Sequence, residues 1–443
     1  LSVAWRGDGP ALVMRNLRLY DKQRTRANLR AESVTLKFSL LEALRYRNIT
    51  PEEITVSGTH LVFIRHEDNS LSIHGIEQRE EAQQPQETAE SADISALLLQ
   101  PKYLELGNAR ITVVDLRSTA RPLYFSPVNL QIDNRGERHR LAAALSVEDG
   151  QQGDMTLIAD LAVNSEGGLL FWSGDIYMRT ANLNLAWLLQ NRIPGHYELE
   201  SARTSMEAWS DWEDGLMQRL EGRMLTKNLR FRSLTAVDAP ALELDALGGQ
   251  LHWKRETAGW RLDIHQPSIS SGIEQWPTRA VNIALRHFDE TQPPELFIGA
   301  DVLDIETFMR ALSVHPPDAR VVDHLLASGL RGQLRKPYLH LRMARPIEWD
   351  FSGHFDNLSA YGTYQVPELV NYSIQVDACN EGGRLRFTTE NASVYARNLF
   401  RWPIPVTLFQ GDIQWQRVRD GYWYVKSDSL ALENDHVKTL TAF

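Results

Sequence analysis

Cysteine is nearly absent from this 443-residue chain; the single Cys379 excludes an intrachain disulfide framework and a cysteine-rich zinc site. Long apolar runs are missing as well. The richest stretches, "ISALLL" and "LLFW", fall far short of the roughly 18 consecutive apolar residues of a membrane span. There is no concentration of positive charge: net charge is -10, the pI is near 5.8, and Lys and Arg are dispersed. That balance argues against a nucleic-acid partner and against a strong electrostatic hold on anionic lipid headgroups.

Chemistry-bearing motifs are missing too. The chain has no Gly-rich phosphate loop, HExxH, GxSxG, CxxC or EF-hand spacing. Its 13 histidines are scattered, and none stands three or four residues from another on a plausible helix. His139, in "RGERHR", reads as solvated surface, and "HEDN" at 66–69 reads as turn chemistry. Glu52 and Glu53 point to opposite faces of an extended chain and cannot share a site. The sequence therefore predicts no catalytic residue, no metal site, no cofactor and no enzyme. "NIT", "NLS", "NYS" and "NAS" match a glycosylation acceptor, a pattern too short to signify much.

What the chain does contain is strands. "ITVSGTHLVFIRHEDNSLSIHGI" (54–76), "ARITVVDL" (109–116), "VNLQID" (128–133) and "MTLIADLAV" (155–163) are β-rich and broken by Gly, Asn and Asp. The pattern resumes through "NLRFRSL", "VNIALRHF", "YLHLRM", "YSIQVDA" and "GRLRFTT". This density without regular helices between strands predicts antiparallel meanders. Helical periodicity is confined to 39–47, 184–192, 304–312 and 319–329, with Asp304 placed as an N-cap. "EQREEAQQPQETAESAD" (77–93) is acidic and almost free of apolar residues, as a solvated loop is.

One pattern is written twice. "GGQLHWKRETAGWRLDI" (248–264) returns as "QGDIQWQRVRDGYWYVK" (410–426), aligned on Gly249 and Gly411. Each copy predicts a β-hairpin with one apolar face, its Ala-Gly or Asp-Gly loop supplying positive φ. Tyr422, like Trp253, Trp260 and Trp415, belongs to the inward positions. A looser repeat links "LLFWSGDIYMRTANLNLAWLL" and "LFIGADVLDIETFMRAL". Alternation then selects one face. It holds Leu157, Leu161, Leu229, Phe231, Leu251, Trp253, Trp260, Leu262, Val281, Ile283, Leu339, Leu341, Leu385, Phe387, Ile413 and Trp415. In "HLVFIRH" the pairs Leu61 with Phe63 and Val62 with Ile64 compete for it.

The order of features from about residue 290 onward resembles the large AsmA-like envelope family typified by YhdP. It runs "LFIGADVLDIETFMRAL", "ARVVDHLLASGLRGQL", "WDFSGHFDNLSAYGTYQVPEL", "NEGGRLRFTTENASVY", "FRWPIPVTLFQGDIQW" and "GYWYVKSDSLALEN". "GPALVMRNLRLY" and "LEALRYRNITPEEITVSGTHLVFIRHEDNSLSIHG" are similar to that family's earlier region. The resemblance implies a mainly β fold: an elongated, strongly curled antiparallel sheet forming an apolar groove, with a few short helices. With the acidic segment read from its composition as a flexible loop over 77–94, the chain divides into a groove segment over 1–76, that loop, central repeats over 95–289 and a C-terminal groove part over 290–443. The resemblance further implies a periplasmic location, tethering to the inner membrane, and conduction of phospholipid acyl chains between inner and outer membranes reached through parts absent from this chain. The chain starts without methionine at "LSVAWRGDGPAL" and stops at "KTLTAF", which reads as a segment of something larger. Two other classes remain open: a structural β-solenoid or adhesin-like scaffold, and a carbohydrate-active enzyme on an aromatic-lined β-face.

Overall fold

Strands two residues in period, rich in β-branched and aromatic side chains, make up most of the described residues. The structure, a computed structural model, describes residues 1–6, 9–20, 27–39, 50–67, 71–73, 98–117, 121–148, 153–163, 172–189, 197–234, 241–271, 274–275, 278–287, 292–306, 308–309, 328–362, 367–418 and 422–442. They fall into two units, Leu1–Thr226 and Lys227–Phe443.

The first unit contains β1 (Ser2–Arg6), β2 (Gly9–Tyr20), β3 (Ala27–Phe38), β4 (Pro51–Ser57), β5 (His60–Arg65) and β6 (Leu71–Ile73). It continues with β7 (Tyr103–Asp115), β8 (Leu123–Asp133), β9 (His139–Val147), β10 (Gly153–Val163), β11 (Trp172–Asn184), helix α1 (Leu185–Leu188) and β12 (Tyr197–Glu213). Strands β1 to β4 pair antiparallel in order, and so do β7 to β12. The seam between the two runs departs from the predicted antiparallel meander, because β4 and β5 both lie parallel to β7. They follow one path broken at Gly58, whose N–H donates to Gly107 O at 3.0 Å. Strand β5 turns back into the short hairpin β5–β6. Leu61 packs with Val56, Ile111 and Phe125 around Leu106, Ala109 and Val128, which settles the face of "HLVFIRH" in favour of Leu61 and Phe63.

Strand β13 (Leu216–Ser233) contains the division between the units. The second unit continues with β14 (Leu242–Glu256), β15 (Gly259–Ser271), β16 (Glu274–Gln275), β17 (Ala280–Arg286), β18 (Glu295–Ala300), β19 (Val302–Asp304) and β20 (Arg331–Arg342). Then come β21 (Glu348–Ala360), β22 (Glu368–Cys379), β23 (Gly382–Tyr395), β24 (Ile404–Arg417), β25 (Trp423–Lys426), β26 (Leu430–Glu433) and β27 (Lys438–Thr441). Every pairing among β14 to β27 is antiparallel. Strands β18 and β19 are two halves of one neighbour of β20, and β25 and β26 two halves of one neighbour of β24. No pairing among the described residues of either unit closes its sheet into a barrel.

The bend in each sheet has a recurring cause. Many strands carry one residue with left-handed φ in mid-strand: Asn108 in β7, Asn182 in β11, Asn357, Asn371 and Asn391 in β21 to β23, and Lys336 in β20. Asparagine tolerates that conformation better than most residues. Strand register slips beside most of these positions, as at a β-bulge, which bends a strand and raises its twist. The same face is kept by residues two before and one after the left-handed residue: Leu106 and Ala109, Thr180 and Leu183, Phe355 and Leu358, Leu369 and Tyr372, Thr389 and Ala392.

Polar groups opened at each bulge are met locally. Asn182 N donates to Ser205 Oγ at 3.1 Å and Met206 N to Thr180 Oγ1 at 3.1 Å. Asn371 N donates to Ser359 Oγ at 3.1 Å, its Nδ2 donates to Asn391 O at 3.0 Å, and Ser373 N donates to Thr389 Oγ1 at 3.0 Å. The hydroxyls of Thr204 and Thr226, both buried, bond each other at 2.8 Å. Bulges and buried hydroxyls thus form a crease, and buried apolar residues gather beside it: Leu106, Ala109 and Val128 in the first unit, Tyr372, Ile374, Phe387, Ala392 and Val406 in the second.

Helices are few. Asn184 caps α1 by accepting from Trp187 N at 3.2 Å, so "NLAWLLQNR" yields a single described turn. Residues 305, 306, 308 and 309 are helical, with Ile305 and Met309 packed on Leu334. All but Ser39 of the predicted helix at 39–47, nearly all of that at 319–329 and the acidic segment at 77–93 lie outside the described residues.

Candidate functional site: an apolar sheet face

Cross-strand register carries one face from strand to strand. In the second unit Trp253 pairs with Leu262, Leu262 with Ile283, Ile283 with Ile298 and Ile298 with Leu339. The row continues from Leu339 to Phe351, Ala378, Gly383 and Trp415. Beside it lie Leu251, Ile264 and Val281 on one flank and Trp260, Leu285, Leu296, Leu341 and Trp349 on the other. Leu385 pairs with Val376 and Ile413, and Phe387 with Ile374 and Gly411. Leu229 and Phe231 are half-buried and alternate with exposed Arg230 and Arg232. In the first unit Leu157 pairs with Ala143 and Met178, and Leu161 with His139 and Gly174.

Most of these side chains, including Trp253, Trp260, Leu262, Ile283, Leu339 and Trp415, are half-buried, and Phe387 beside the crease is buried. An apolar face is therefore covered at the crease and left partly bare along the walls. Sequence periodicity passed over Ile298, Phe351, Phe355 and Phe409, which lie on the same face. "ELFIGA" shows no alternation, and in "DFSGHFDN" the inward position between Phe351 and Phe355 is Gly353, which leaves the apolar series incomplete.

The opposite face carries the charge. Arg261 pairs with Asp263 at 2.8 Å, Arg384 with Asp412 at 3.2 Å, Arg223 with Glu207 at 2.6 Å, and Arg335 with Asp356. Hydrogen bonds from Arg135 bring the Asp133 carboxyl down to about 2, and those from Tyr177 and Arg223 lower Glu207. Glu52 and Glu53 take separate partners, Lys102 at 2.6 Å and Lys37 at 2.9 Å.

Two sequence expectations change here, those for His139 and Tyr422. His139 is half-buried opposite Leu161, with Nδ1 2.7 Å from Asn134 Oδ1, and burial lowers its pKa; it is not solvated surface. Tyr422 is 73 % exposed and stands outside the strands. The Ala258–Gly259 loop does supply positive φ, at Gly259, where a Cβ would come within 1.9 Å of Leu285 O. Gly249 and Gly411 do match in geometry, with φ of 155° and 146°.

Recesses in this surface are open and modest, such as one of about 310 Å³ lined by Arg179, Met206, Glu207 and Arg223. Another of about 370 Å³ lies against Tyr338, Phe351, Asp377 and Gly383. Among the described residues no three His, Cys, Asp or Glu side chains gather as a metal site, and no helix is long and apolar enough to cross a membrane.

Open, creased sheets with one apolar and one charged face define a protein of the β-groove class. The chain belongs to the YhdP protein family, whose model matches residues 1–443. Searches of curated proteins and of solved structures gave no match.

Proposed function

We propose that this chain conducts phospholipids along its apolar face, as the periplasmic part of an inner-membrane-anchored AsmA-like protein that supplies the outer membrane. The carrying observation is the unbroken register row from Trp253 to Trp415, which keeps one apolar face through successive strands. With strands about 4.8 Å apart, that row extends for about 40 Å. Keeping a 16-carbon acyl chain out of water is worth roughly 12 kcal/mol gross at about 0.8 kcal/mol per methylene, so a moving lipid needs continuous apolar cover. Weak, repeated contact suits movement better than one deep pocket. Family membership supports the same assignment. A photo-crosslinker at Leu262 captures phospholipid, whereas one at Arg261, ion-paired on the opposite face, does not. Equal capture at the two positions would refute the assignment.

A further inference from the structure

The connection between β23 and β24 differs from short polar turns of the second unit such as Thr257–Ala258 and Asn380–Glu381. Residues 396–403 read "ARNLFRWP", and Leu399, Phe400 and Trp402 are 78 %, 45 % and 72 % exposed. The turn is built, not frayed: Leu399 N and Phe400 N both donate to Ala396 O at 2.9 Å. Arg397 holds Glu368 at 3.2 Å and lies 5.5 Å from the Tyr395 ring centroid, while the Tyr395 hydroxyl donates to Arg401 O at 3.4 Å. Arg401 is exposed and has no ion-pair partner among the described residues. In a chain of net charge -10, the whole stretch from Asn391 to Gly411 contains no acidic residue.

We infer that this turn is a membrane-surface contact that places Leu399, Phe400 and Trp402 among the headgroups of an anionic bilayer, with Arg401 on a lipid phosphate. Three side chains on a narrow turn fall well short of the roughly 800 Å² per partner of a standard protein interface. Bilayer interfaces accept such a group directly, since tryptophan and basic residues favour the headgroup level while apolar chains reach below it. The local excess of positive charge matches anionic lipid, against the overall charge of the chain.

Flotation of the 443-residue chain with phosphatidylethanolamine–phosphatidylglycerol vesicles, and with phosphatidylcholine vesicles, tests the contact. Wild type should float with the anionic vesicles. Leu399→Ser, Phe400→Ser and Trp402→Ser combined should weaken binding about tenfold or more, and Arg401→Gln about fivefold. Met343→Ser with Ile347→Ser, which removes two exposed apolar residues from the β20–β21 connection, should leave it unchanged. Circular dichroism melts check that all variants fold, and lipid capture at Leu262 should persist in the triple variant, which separates failure of the contact from failure of the groove. Undiminished binding by the folded triple variant, or equal binding to phosphatidylcholine, would overturn the proposal. Absence of wild-type binding to either vesicle would overturn it in favour of a protein partner.

Discussion

In the first unit the row from Val56 through Leu106, Leu130, Ala143, Leu157 and Met178 to Ala208 is aliphatic throughout. The second unit's row has an indole at each end, Trp253 and Trp415, and Phe351 between them. Beside the crease the contrast repeats: Leu106, Ala109 and Val128 in one unit, Tyr372, Phe387 and Val406 in the other. Both units nevertheless use the same device, a left-handed residue with inward side chains two before and one after it. The face must be apolar and the strand must bend, but the shape of the apolar groups is free. Such freedom of shape suits the proposed lipid conduction better than a pocket fitted to one molecule would.

The largest expected effect breaks the contrast at the crease. Phe387→Ala should lose about 4 kcal/mol, since Phe387 is 8 % exposed and its ring packs 4.7 Å from that of Phe409; Leu106→Ala should lose about 2.5 kcal/mol. Urea unfolding of both variants measures the difference, and a greater loss at Leu106 would reverse the comparison. Next comes the bulge itself. Asn371→Val forces a β-branched residue into φ of 65° and removes the amide bonds to Glu390 O and Asn391 O, for about 2–3 kcal/mol. Asn371→Gly keeps the conformation and should lose about 1 kcal/mol. In the first unit Asn108→Gly should be nearly neutral, because the bond made there is from Asn108 N to Asn129 Oδ1 and survives. A tolerated Asn371→Val would remove the bulge from the account.

The smallest effect is a pH dependence confined to the first unit. Burial lowers the pKa of His139 below its ordinary 6.5, so the unfolded chain binds a proton that the folded state resists. Stability should therefore fall as pH drops below about 6.5 and level off below the depressed native value. Comparing urea midpoints across that window in wild type and His139→Gln isolates the contribution; an identical slope in both would place the imidazole in solvent.

Strands and faces were legible in the sequence because alternation survives in each half-strand: Leu251 with Trp253, or Leu385 with Phe387, needs only local period two. The crease was not. Asn357, Asn371 and Asn391 open the triplets "NLS", "NYS" and "NAS", which were read as chance acceptor matches, whereas each asparagine sits left-handed in mid-strand. The signal was present as a recurring asparagine, apolar, polar, apolar quartet: "NARI", "NLNL", "NLRF", "NLSA", "NYSI" and "NASV". It escaped because each bulge shifts the period by one and breaks the alternation used to find strands. The parallel seam at β7 was hidden for a different reason, since pairing direction depends on the path of the chain before Tyr103 and not on the strands' own residues. His139 was misplaced because its polar neighbours, Arg138 and Arg140, point away from the face on which it lies.

Charge placed on the apolar wall tests the central claim most directly. Ile283 lies between Leu262 and Ile298, half-buried and away from the crease, so an aspartate there can stay folded while presenting a carboxylate to any passing acyl chain. Phospholipid transfer and β-sheet circular dichroism are measured together for Ile283→Asp and for the opposite-face control Lys254→Asp. Conduction along the face predicts that Ile283→Asp loses transfer with its sheet intact and that Lys254→Asp keeps both. An Ile283→Asp variant that folds and transfers lipid at the wild-type rate would contradict it.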